Sequence, residues 1–143
     1  MIIKISPEQV VRYWETIKFA AVKAEGIADA DIPAFGTDLL LNLLNGTWFC
    51  WMSLNDAREI QRLVIMSLDD YEVVQKHCLT MHYLYSFSHA SNTDWHNEID
   101  QVYKFAKKAG CSLIRAITRN EKLEAIGKSI GFTRKSVNLF LTI

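Results

Sequence analysis

The sequence lacks a net charge: sixteen Lys and Arg balance sixteen Asp and Glu over 143 residues. The chain as a whole is therefore not marked for a polyanionic partner. The balance is uneven, however. Residues 1–100 hold 7 basic against 14 acidic side chains, and residues 101–143 hold 9 against 2, leaving −7 and +7. Such a split could orient the protein on a charged partner or on a second copy. Sequence blocks need not be surface patches, so interleaving of the two sets in space is the simpler expectation. Cysteine is scarce. Cys50, Cys78 and Cys111 each lie in an apolar, strand-like run. An odd number without short-range pairing argues against a disulfide framework and for reduced thiols in a cytosolic protein. Long apolar runs are missing too: Leu39 to Met52 is the most apolar stretch and contains Asn42, Asn45 and Gly46, too short to span a bilayer. Lys4 and Glu8 interrupt any secretory h-region at the start. His77, His82, His89 and His96 show neither helical i, i+4 pairing nor a Cys-x-x-Cys partner, so no metal site is expected. No repeat, low-complexity run or linker divides the chain, and half of its residues are hydrophobic. Residues 1–143 are expected to form one soluble domain with a real core.

What is present reads in order as a mixed α/β chain. Ile2, Ile3 and Ile5 suggest a short first strand. Ser6-Pro7-Glu8-Gln9 combines an N-cap, a proline at the first helical position and a capping-box glutamine. Val10, Trp14, Ile17, Ala21 and Ala24 then give a helix one apolar face, and Gly26 ends it. Ile27 to Pro33 reads as an acidic connection. Leu39, Leu40, Leu43 and Leu44 make a short second helix stopped by Asn45-Gly46. Thr47 to Leu54, Glu59 to Leu68 and Cys78 to Phe87 read as three meander strands. In the third, Leu79, Met81, Tyr83 and Tyr85 alternate against Thr80, His82, Leu84 and Ser86, which predicts two distinct faces.

The last third is the most informative. Asp94 can cap a helix carrying Trp95, Ile99, Val102, Ala106 and Ala109 at helical spacing, with Gly110 as its stop. Cys111 to Ile117 follows as a buried strand. Thr118 or Asn120 can cap another helix, ended by Gly131 and Phe132. Val137, Leu139, Leu141 and Ile143 alternate as a terminal strand would. The text Phe105-Ala106-Lys107-Lys108-Ala109-Gly110-Cys111, and then Asn120 through Ile130-Gly131-Phe132, resembles the C-terminal half of the GCN5-related N-acetyltransferase (GNAT) superfamily. That resemblance implies an α+β fold: a mixed, mostly antiparallel central sheet flanked by about four helices.

The resemblance also implies acetyl-CoA, and here the residues depart from it. The family's pyrophosphate loop is typically Gln/Arg-x-x-Gly-x-Gly/Ala, whose glycines let backbone N–H groups approach the anion. The matching stretch is Ser88-His89-Ala90-Ser91-Asn92-Thr93-Asp94, with no glycine, no arginine and a carboxylate at the helix start. A carboxylate there repels a pyrophosphate. The family's tyrosine general acid lies four residues before the glycine of the Gly-Phe turn, a position occupied by Gly127. Tyr83, Tyr85 or Tyr103 would have to substitute, although aromatics at such spacings are usually core. Asp70 and Glu72 are candidate bases for an amine, in a loop that reads as solvated. Cys111 has no visible His or Asp companion and reads as a packed strand residue.

No catalytic residue, cofactor or metal is therefore expected, and a protein-binding role follows. The chain is similar in length, in its Phe19 to Ile27 helix end and in its Gly-Phe ending to degenerate GNAT-like proteins of short-tailed bacteriophages that act in virion morphogenesis. That similarity implies other protein subunits, phage virion proteins among them, as partners, with a homo-oligomer as an option. It implies the host cytoplasm, or the virion interior, as the location. The alternatives are an acyl-CoA-dependent N-acyltransferase with an altered CoA loop, or a regulator binding a host protein. Lys104, Lys107, Lys108, Arg115, Arg119, Lys122, Lys128, Arg134 and Lys135 follow no nucleic-acid motif, and at most weak, salt-sensitive nucleic-acid contact is expected of this basic third.

Overall fold

The computed structural model describes all 143 residues. Five strands, β1 (Ile2–Lys4), β2 (Trp48–Leu54), β3 (Ile60–Tyr71), β4 (Lys76–Ser86) and β5 (Leu113–Ala116), lie side by side in chain order. Neighbours are antiparallel except β4 and β5, which run parallel around a helical crossover. Five α-helices flank this sheet: α1 (Pro7–Arg12), α2 (Trp14–Glu25), α3 (Ile32–Leu44), α4 (Asn92–Lys108) and α5 (Glu121–Ser129). This is the mixed, mostly antiparallel sheet expected from the sequence. Its helices number one more than expected, because the first breaks at Tyr13 into α1 and α2.

Each face of the sheet has its own core. Ile17, Ala20 and Ala21 of α2 and Leu39 and Leu43 of α3 pack with Cys50, Met52, Leu63 and Ile65 on one face. Val102 and Ala106 of α4 pack with Val64, Met66, Leu79 and Met81 on the other. The alternation of β3 explains the division, since Leu63 and Ile65 point one way and Val64 and Met66 the other.

β4 does not keep its expected alternation. Met66 faces Met81 while Ile65 faces Tyr83, leaving His82 as an extra, bulged residue. The bulge shifts the following side chains to the opposite face. Leu79 and Met81 meet α4, whereas Tyr83 and Tyr85 pack on the α1–α3 side. The four residues predicted to share one face are thus divided two and two.

Other boundaries moved for local reasons. The α3 helix starts at Ile32, with Pro33 in its first turn, so much of the expected acidic connection is helical. The α4 helix is capped by Ser91, not Asp94, whereas α5 is capped by Asn120, one of the two residues expected. The terminal strand does not form. Residues 132–143 carry no regular structure, and Leu139, Phe140 and Leu141 are 92, 88 and 91 % exposed. Alternation supplies strand propensity, but a strand also needs a partner, and no ladder reaches this segment. The chain has no helix long and apolar enough to cross a membrane.

A cleft where two parallel strands part

The strand β4 stays paired with β3 up to Ser86, but with β5 only from Cys78 to Met81. The last link to β5 is the N–H of Ile117, which donates to Met81 O at 3.0 Å. Beyond it the strands separate, and His82, Leu84, Tyr85 and Ser86 line a cleft of about 430 Å³. Its walls are the C-terminal turn of α2, β4 from the bulge onward, and the β5–α5 connection. Arg119 ties the far walls together: its Nη1 donates at 2.5 Å to the Glu25 carbonyl, at the negative end of α2.

Within this cleft lie His82, Tyr85, Ser86, Glu25 and Asn120. The His82 ring stacks on Trp48 at 4.0 Å, and its Nε2 lies 2.7 Å from Ser67 Oγ. Ser67 is 1 % exposed and donates to Asp69 Oδ2 at 2.7 Å. Burial lowers the His82 pKa; nearby Asp69 opposes this and Arg115 adds to it. Tyr85 meets Phe19 and Phe87 edge to face.

The α4 N-terminus is closed by its own side chains. Ser91 Oγ accepts from the Asp94 N–H at 3.1 Å, and Asp94 Oδ2 accepts from the Ser91 N–H at 2.9 Å. Those bonds to Ser91 hold the Asp94 carboxyl below its usual range. Two N–H groups of the kind that bind anions are thus already engaged, beside a fixed negative charge. That charge disfavours a pyrophosphate here, and Ser88 adds a tether by donating to Gln61 Oε1 at 2.6 Å. Because the Asp94 pKa is depressed in the fold, its stabilising contribution is complete above the unfolded value near ~3.9 and is lost as pH falls through the folded one. Ser91→Ala is expected to cost about 1 kcal/mol in urea unfolding at pH 7. An unchanged midpoint would show that the cap is immaterial.

The remaining candidates fall outside the cleft, with one exception. Of the three tyrosines only Tyr85 lines it. Tyr83 packs between Phe35 and Trp48, and burial pushes its hydroxyl up to about 12. Tyr103 is 56 % exposed on α4. At Gly127 a Cβ would sit 3.6 Å from Phe132, so the Gly-Phe turn folds back over the place of the missing acid. Asp70 pairs with His77 at 2.5 Å at the opposite end of β4, and Glu72 stands in the hairpin turn beyond. His89 and His96 are exposed, and the histidines are not gathered into any metal-binding group. Cys111 is half-buried, its thiol raised by burial and by Cys78. Several cations of the basic third meet anions, including Lys104 with Asp100 and Arg115 with Asp69, so the two charge sets partly interleave.

Known structures place the architecture. A predicted acetyltransferase from Clostridium acetobutylicum, solved with acetyl-CoA, superposes with a TM-score of 0.73 at 15% identity, covering 99% of this chain and 95% of that one. An aminoglycoside 6′-N-acetyltransferase from Acinetobacter baumannii gives 0.71 at 11% identity, over 100% and 97% of the two chains. The fold is that of the GNAT superfamily. A ribosomal-protein-alanine N-acetyltransferase from Brucella melitensis matches this GNAT fold equally, with 0.71 at 12% identity over 100% and 99%. No family model and no curated protein sequence matches the chain. At such identities the GNAT likeness is one of fold.

Three features of this cleft were not anticipated from the sequence: the bulge at His82, the Ser67–Asp69 chain behind it, and the Arg119 tie. Only the second left a trace, since Ser67 and Asp69 two apart on a strand share a face.

Proposed function

We propose that the cleft is an acyl-transfer site of altered donor recognition, moving an acyl group from a thioester to an amine. The parting of β4 from β5 carries this reading. It leaves the backbone of residues 82–86 without a partner on one side. Such an edge can hydrogen-bond an extended, amide-bearing donor arm. The names of the structural neighbours favour the same chemistry. The capping box at the α4 N-terminus supports a donor held without its nucleotide. Cleft residues, and not a pyrophosphate cradle, hold the donor.

Calorimetric titration with acetyl-CoA and with S-acetylpantetheine tests this. The two should bind with dissociation constants within about threefold, a difference under about 0.7 kcal/mol. No heat from either up to millimolar concentration would remove the reading.

One observation favours a second reading, a non-catalytic protein-binding module, including a component of a bacteriophage virion. The family's acid position is a glycine packed under Phe132. A GNAT fold can outlast its chemistry, because function resides in the site. Silent titrations, with specific co-purification of a second protein subunit, would support this module.

A further inference from the structure

We infer that His82 is the general base of this cleft, its Nδ1 lone pair presented to the acceptor amine by a hydrogen-bond chain through Ser67 to Asp69. The inference rests on the acyl-transfer reading above.

The direction of the chain follows from proton counting. A carboxylate only accepts, and Ser67 has a single hydroxyl proton, which it gives to Asp69. The Ser67 oxygen can then only accept from His82, so Nε2 must carry a hydrogen. A neutral imidazole holds one N–H, which leaves Nδ1 as a free lone pair. Nδ1 has no protein partner, yet it is not among the enclosed polar atoms that lack one. It is therefore reachable from outside, on a residue that lines the cleft. Stacking on Trp48 at 4.0 Å fixes the ring plane, and His82 is the first residue of β4 past the end of its pairing with β5. Ser67 is almost wholly buried, so water does not compete for its hydroxyl and its two bonds hold each other in place.

The step balances without any further reactant. The amine nitrogen attacks the thioester carbonyl, forming the C–N bond, while a nitrogen-bound proton passes to His82 Nδ1. The C–S bond then breaks, and the imidazolium returns its proton to the departing thiolate. His82 touches the reacting atoms; Ser67 and Asp69 position it. Burial keeps the imidazole neutral, hence able to accept a proton, down to a lower pH than usual. The charges around it are Asp69 on β3, Arg115 on β5, Lys23 and Glu25 on α2, and Arg119.

Two measurements test this together. Long-range ¹⁵N–¹H spectra of the unaltered protein should show His82 as the Nε2–H tautomer, titrating below the ordinary value, with the preference lost in Ser67→Ala. Initial rates of acetyl transfer from S-acetylpantetheine to n-butylamine should rise with pH through that same midpoint. H82Q should lower kcat about 10²–10⁴-fold with little change in KM. An Nδ1–H tautomer, or rates that H82Q leaves within about threefold, well short of general-base effects, would overturn the inference. The correct tautomer with no transfer at all would overturn the acyl-transfer reading, and the base with it.

Discussion

Glu98→Ala should unfold this protein at a temperature about 10–15 °C lower than the unaltered chain, equivalent to about 3–5 kcal/mol. Arg62 is 7 % exposed on β3, and its Nε donates to both Glu98 oxygens at 2.7 and 2.8 Å. Its Nη2 closes the pair at 2.6 Å, Ser53 Oγ donates to the same carboxylate at 2.8 Å, and the guanidinium lies over Trp95. Removing the carboxylate strands a charge that cannot reach water, and this dominates the cost. The attraction itself is worth much less, because both groups were desolvated to form it. The combined change Ser53→Ala, Arg62→Met and Glu98→Leu should therefore regain most of the loss. Thermal and urea unfolding of both variants checks the argument. A Glu98→Ala cost under about 1 kcal/mol would mean that the pair behaves as a surface contact.

Ile17→Ala is the second large effect, expected at about 2–5 kcal/mol. Ile17 is fully buried on α2, and its neighbours in the core are Ala20 and Ala21, also at 0 % exposure. These small residues let the helix approach the sheet closely, and the close-packed Leu39, Leu43, Leu63 and Ile65 around them can relax only partly into the space left behind. The effect should reach the cleft, since α2 ends at Glu25 and Gly26 in its wall. Urea unfolding gives the stability, and the His82 imidazole resonances report whether the wall has moved. A loss under about 1 kcal/mol would imply that α2 settles onto the sheet without a cavity.

What could be read from the sequence was whatever depends on near neighbours. Ser6, Pro7 and Gln9 announced a helix start, and the capping box is present as expected. The apolar residues of α4 were legible because period and burial agree: Trp95, Val102 and Ala106 are its buried positions. The Asp94 carboxylate was located correctly but given the wrong task, since Ser-x-x-Asp can be read with either residue as the cap. The bulge was not legible. It arises from register between β3 and β4, and nothing within Met81-His82-Tyr83 states which residue will be left over. That one slip moved Tyr83 and Tyr85 to the other face, beside the α1–α3 core. The terminal alternation misled for the opposite reason: local propensity was present and a partner was absent.

A sheet whose strands lie in chain order also sets the kinetics of assembly. The β2–β3–β4 hairpins close loops of a few residues, at small entropic cost, so the central meander can form early. By contrast, Ile2 must find Ser53 across some fifty residues, and β5 must wait for the α4 crossover. The cleft has one wall from the early meander, one from α2 and one from the β5–α5 connection, which follows the late-joining β5. Its geometry is therefore completed last, by the pieces that contribute least to the nucleus, and those are the pieces whose contacts govern unfolding more than folding.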